Sequence, residues 1–154
     1  MCQKYSIDAY IYTNADVCID FIPQVFESPN TSFEFGIILA SELFKKYPLA
    51  VTLNLAQSFV LPKFKAHCLE IMQSKESPLR DFCMSEAVRT AYCLFDITYA
   101  FPSLEDPVIL LIIELESHAK GTFGSLAERL VSTLSQIRAN IVLERPLSRN
   151  KSLG

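Results

Sequence analysis

The chain has no tryptophan, four glycines and two histidines in 154 residues, and its formal charge of −3 favours neither sign strongly. Each scarcity closes off a kind of chemistry. With His67 and His118 as the two imidazoles, neither near a recognisable nucleophile motif, a histidine-based catalytic constellation has little to draw on. The five cysteines (Cys2, Cys18, Cys68, Cys83 and Cys93) form no C-x-x-C pair, and His67-Cys68 with Cys83 and Cys93 has no compact ligand spacing. Neither a metal nor a cofactor is therefore expected. Gly121-Thr-Phe-Gly124-Ser125 precedes a helix but lacks the G-x-x-x-x-G-K-[ST] spacing and its lysine, so it reads as a turn.

No run approaches the roughly 20 apolar residues of a membrane span. Met1-Cys-Gln-Lys lacks the basic and apolar regions of a signal peptide, and an odd number of cysteines among apolar neighbours suits reduced thiols. The expected location is intracellular, cytoplasmic or nuclear. Basic side chains number 14 against 17 acidic ones, and they cluster only at Arg145, Arg149 and Lys151. That argues against a nucleic-acid footprint, which needs a clustered positive surface.

What the chain has in quantity is apolar surface: half of its residues are hydrophobic, with eleven Phe and six Tyr. Such a composition is too apolar for disorder and long enough for one core, so residues 1–144 read as a single globular domain and 145–154 as a polar, basic C-terminal tail. The strongest pattern is Leu126, Leu130, Leu134, Ile137 and Ile141, one stripe on a helix whose start carries the S-x-x-E capping spacing at Ser125 and Glu128. A second helix reads from the Asp106-Pro107 start to Gly121, and a third over Phe33 to Tyr47, capped by Thr31 or Ser32. Gly36 lies inside that third helix, where close approach of a neighbouring backbone is expected. A stripe of Val17, Cys18, Phe21, Ile22 and Val25 is helical in period, with a kink or break expected at Pro23. Pro62 and Ser77-Pro78 open two more helices, with Leu79 and Phe82 facing inward and the second broken near Ser85 or continuing as one long buried helix to Phe101.

These elements predict an all-α fold, a compact bundle or a short stack of helical hairpins with six to seven helices. Two stretches are open to another reading. Residues 49–60 alternate as a strand would but also mark a helical face, and helix is preferred. Residues 92–115 are rich in strand formers, so the alternative fold is α+β, with an antiparallel hairpin there packed by the last helix. In a helix Glu114 and Glu116 face apart; in a strand they form a paired-acid site.

The functional expectation is a non-catalytic protein-interaction subunit: a scaffold, adaptor or assembly factor. It would bind a protein partner or self-associate as a homo-oligomer. Aromatic residues crowd the first quarter of the chain, and Tyr10, Tyr12, Phe21, Phe26, Phe33 and Phe35 are the candidate contacts, because Tyr and Phe bring large apolar area at low entropy cost. The competing expectation is a small α+β enzyme or ligand-binding domain with a site near His67 or His118. The two differ in whether a concavity gathers an imidazole with acids and a thiol, or exposes an apolar groove.

Overall fold

A computed structural model of the chain describes residues 20–27, 32–75, 77–119 and 125–153, and among them there are helices and connections but no strand. Residues 20–27 form α1, followed by α2 (Phe33–Lys46), α3 (Ala50–Leu55), α4 (Leu61–Gln73), α5 (Pro78–Thr90), α6 (Cys93–Ala100), α7 (Glu105–Ala119) and α8 (Ser125–Leu153). The fold is an all-α compact helical bundle. The α+β alternative is thereby overturned, because 92–115 is covered by α6, a short 3-10 turn at Pro102–Leu104 and most of α7. Burial explains the outcome. Val108, Leu111, Ile112, Leu115 and Ala119 are buried at helical intervals, a stripe that a strand would divide between two faces.

Helix starts follow side-chain chemistry. Ser32 Oγ accepts the Phe35 N–H at 3.1 Å, so Ser32 caps α2, and Thr31 lies outside the described residues. Ser77 Oγ accepts the Arg80 N–H at 3.1 Å and Pro78 takes the first helical position, as its sequence implies. The helix runs through Pro23 without a break over 20–27. The expected break near Ser85 lies instead at Ala91–Tyr92. There Thr90 Oγ1 donates to the Glu86 carbonyl at 2.9 Å and to that of Ala87 at 3.3 Å, a back-bond that competes with the helix ladder and bends it.

Residues 49–60 are helical with a difference. Between α3 and α4 the chain makes a π turn over Ala56–Val60, in which the Leu61 N–H reaches back to the Ala56 carbonyl. Thr52, Ala56, Val60, Phe64 and Cys68 are all buried at a strict interval of four. Four residues of α-helix advance about 400°, so such a stripe drifts by roughly 40° at each step. The wider π turn takes out part of that drift and keeps one face buried across α3 and α4, just ahead of Pro62, which has no N–H for the ladder.

The core joins all of these helices. α8 packs against α7, α5 and α6, α4 against α7 and α5, and α2 against α5 and α6. Among the α8 residues whose side chains are described, Ala127, Leu130, Leu134, Ile137 and Ile141 are buried, four of them positions of the expected stripe; the side chain of Leu126 lies outside the described ones, and the backbone remains helical to Leu153. Phe44 and Phe64 are fully buried, with Phe44 edge-on to Phe101 at 5.5 Å between ring centroids. Gly36 is approached by a side chain rather than a backbone: the Phe26 ring lies 3.1 Å from where a Cβ would stand.

Candidate functional site

Two concavities bear on the functional question. The first is a cleft of about 170 Å3 between α4 and the start of α5, lined by His67, Glu70, Arg80 and Cys83 among others. It is the place where an imidazole, an acid and a thiol come together. The α4 stripe turns Cys68 inward and leaves the adjacent His67 beside α2 and α5, where its ring stacks on Phe33 at 3.9 Å and 14°. His67 Nε2 is enclosed and has no hydrogen-bond partner; the nearest carboxylate oxygen, Glu86 Oε1, is 3.8 Å away. Burial lowers the His67 pKa below its ordinary value, against the pull of the Glu70 carboxylate. Burial also raises Glu86, opposed by its hydrogen bond with the Glu34 backbone and by Arg89.

The Cys83 thiol is likewise raised, first by burial and then by Glu86 and Glu70. An activated thiol needs the reverse: a depressed thiol pKa next to a protonated imidazole. Both members of this pair are pushed towards their neutral forms, the opposite of what activates a thiol. Cys68 and Cys93 are buried, and burial pushes each to about 12. They behave as small core hydrophobes. Among the described residues no group of His, Cys, Asp and Glu could hold a metal ion.

The other expected chemistry is dispersed. His118 is exposed in the last turn of α7 and lines neither concavity. Glu114 pairs with Lys65 of α4, while Glu116 accepts from Arg138 Nε of α8 at 3.1 Å. The two acids thus serve different neighbouring helices, and no paired-acid site forms. Glu34 and Arg89 join α2 to α5 through two hydrogen bonds of 3.4 and 3.0 Å.

The second concavity is a groove of about 580 Å3 where the end of α2 meets α6, lined by Lys45, Pro48, Phe95, Asp96, Tyr99 and Ala100. Phe95 and Tyr99 are one turn apart on α6, and Tyr99 is 75% exposed. The rim is charged. Lys45 Nζ sits 3.2 Å from Asp96 and 3.3 Å from Glu42, and Ser41 Oγ donates to Asp96 at 3.5 Å. Burial would lower the Lys45 pKa, but Asp96 and Glu42 together hold it above the usual value.

Of the six aromatic contacts expected from the sequence, Tyr10 and Tyr12 lie outside the described residues. Phe21 is 36% exposed. Phe26, Phe33 and Phe35 are half-buried against the core, Phe26 edge-on to Phe33 at 5.6 Å and to Phe59 at 5.7 Å. Besides Phe21, the large apolar side chains that stand out from the surface are elsewhere: Leu49 and Val51 at α3, Leu79 and Phe82 on α5, Tyr92 and Tyr99 on or just before α6, Leu110 and Ile113 on α7, and Val142 and Leu143 on α8. Leu79 and Phe82, expected to face inward, are 72% and 59% exposed. The signal that could have found this surface was the apolar character of α5 and α6 on more than one side, which exceeds what one core face can cover.

No curated protein and no solved structure gives a match to the chain. A family model described as Integrator complex subunit 2 matches residues 13–122, a span that takes in both concavities and stops before α8. With well over half of its length matched, the chain belongs to the Integrator complex subunit 2 family.

Proposed function

We propose that this chain is a non-catalytic part of a protein complex, and that it holds its partners through the aromatic and aliphatic side chains it leaves exposed. Family membership supports the first half of this reading. One observation carries the second: Tyr99, three-quarters exposed, stands over a groove with Phe95, Pro48 and Ala100, inside a rim formed by Lys45 and Asp96. Tyrosine is enriched among the residues that dominate interface energetics, and a polar rim around an apolar centre is the usual anatomy of such contacts. Among the described members of the N-terminal aromatic group, Phe21 is the most exposed. The Integrator complex is nuclear, so the nucleus is the proposed location.

The test is capture of Integrator subunits from nuclear extract by the tagged chain, compared with Tyr99→Asp. The substitution is expected to reduce recovery at least about tenfold, which corresponds to the loss of one interface hot spot of ~1.4 kcal/mol or more. Its far-ultraviolet circular dichroism should be unchanged, because Tyr99 contributes little to the core. Full recovery of the subunits by Tyr99→Asp would reject the groove as the docking surface.

A further inference from the structure

We propose that the groove between α2 and α6 takes a basic segment of the partner protein, with an arginine side chain laid over Tyr99 beside the ends of both helices; this rests on the docking surface proposed above. The two helices run the same way. Ser41 and Lys45 meet Asp96, Phe44 meets Phe101 further along, and Pro48 shares the groove with Tyr99 and Ala100. Parallel packing puts both C-termini, each the negative end of a helix dipole, at one place.

Both helices also end in the same way. An aromatic residue, Tyr47 or Phe101, is the C-cap and gives its N–H to the carbonyl four residues back, and a proline follows it. Pro48 and Pro102 have no N–H, so the Phe44 and Thr98 carbonyls have no donor from the helix ladder. Two further amides turn away from the ladder. Leu49 donates to the Tyr47 carbonyl and Leu104 to that of Phe101, each at 2.9 Å, which leaves the Lys45 and Ala100 carbonyls without their usual helical donors.

The charges at the groove favour a cation. α2 carries Lys45 and Lys46 in its last turn, whereas α6 has no basic residue in its own. Lys46 does not line the groove, and Lys45 is shared by two acids, Asp96 at 3.2 Å and Glu42 at 3.3 Å, so one negative charge is left in excess beside the two helix ends. Tyr99, 75% exposed, offers a ring face to a cation placed there. Arginine suits the place better than lysine, because its planar guanidinium stacks on an aromatic ring and carries several donors for carbonyls. A groove of about 580 Å3 is within the range of clefts that hold groups of this size.

The experiment is a nuclear magnetic resonance titration of the isotopically labelled full chain, at constant ionic strength, with blocked pentapeptides Ala-Leu-X-Leu-Ala in which X is arginine, glutamine or glutamate. Saturable shifts of the Tyr99 and Ala100 amides are expected with the arginine peptide, about fivefold weaker binding with glutamine, and weaker binding still with glutamate. Lys45→Met frees Asp96 and Glu42 for the ligand and should tighten the arginine peptide about fivefold, while Asp96→Asn should weaken it by about the same factor. Should Asp96→Asn fail to fold, Lys45→Met still decides. Equal binding of the three peptides, preference for glutamate, no saturation by the arginine peptide, or weaker binding by Lys45→Met would each overturn the basic occupant. Any of these with capture still lost in Tyr99→Asp would leave the groove as the docking surface. Preference for arginine with capture intact in Tyr99→Asp would support the basic occupant and reject the groove as the Integrator contact.

Discussion

At the scale of single residues, the structure turns two features of the sequence into measurable quantities. Gly36 sits in the middle of α2 where alanine would improve helix propensity by about 1 kcal/mol. The added Cβ would meet the Phe26 ring at 3.1 Å, and that ring is held by Phe33 and Phe59. Overpacking of this kind costs about 1–3 kcal/mol. Gly36→Ala should therefore lose about 1 kcal/mol net in a urea titration, and the loss should disappear when Phe26→Leu is combined with it. His67 gives a pH-dependent signal. Its pKa is depressed in the folded chain, so below 6.5 the unfolded chain binds the extra proton and the stability that neutral His67 contributes is lost as the pH falls. Glu86, raised by burial, acts with the opposite sign at more acidic pH, because its buried carboxyl gains a proton there more readily than in the unfolded chain. The clean measurement is the stability of the natural chain minus that of His67→Phe, which should fall as the pH drops below 6.5. A difference constant from pH 7.5 to 5 would contradict it.

At the scale of elements, α8 separates what packs from what extends. Leu134 is fully buried, and Leu134→Ala should cost about 2–5 kcal/mol, read as a lower denaturation midpoint with an unchanged slope. All of the buried positions of α8 lie at or before Ile141 among the residues whose side chains are described. Removing residues 145–154, which read from the sequence as a tail outside a domain of residues 1–144, is expected to leave the melting temperature nearly unchanged. A large drop on truncation would show that the last turns of α8 belong to the core. The π turn at Ala56–Val60 illustrates a different limit. The run of buried positions at intervals of four was present in the sequence as Thr52, Ala56, Val60, Phe64 and Cys68, but the alternation of Val51, Leu53 and Leu55 hid it. Only the packed neighbours decide which of two overlapping patterns is covered.

At the scale of the whole molecule, the exposed apolar side chains of the described residues are spread from Phe21 on α1 and Leu49 and Val51 at α3 to α5, α6, α7 and α8, and this distribution suits a chain held among partners better than one that stands alone. Tyr99→Ala should leave the melting temperature of the isolated chain within about 2 °C, since surface substitutions away from packed features change stability by less than about 0.5 kcal/mol. Loss of partner capture without loss of stability would separate a binding role for Tyr99 from a structural one. Comparable destabilisation would place Tyr99 in the fold.

The sequence alone favoured the helical class and determined the stripe of α8, the Ser77-Pro78 start and the absence of a recognisable catalytic motif, because capping chemistry and 3.6-residue periodicity are local properties. It did not determine which sides of the helices around 79–115 would be covered. Leu79, Phe82 and Tyr99 read as core, and Val108 to Leu115 could be drawn as strand or helix, because a segment apolar on several faces carries no period that singles one out. Only the tertiary structure decided these, by the area each neighbouring helix can cover. It also placed Glu114 and Glu116 against Lys65 and Arg138, stacked His67 on Phe33, and set Arg80 Nε against the Ile71 carbonyl. Each of these results comes from side chains brought together by helices distant in sequence, and no single helix encodes its neighbours.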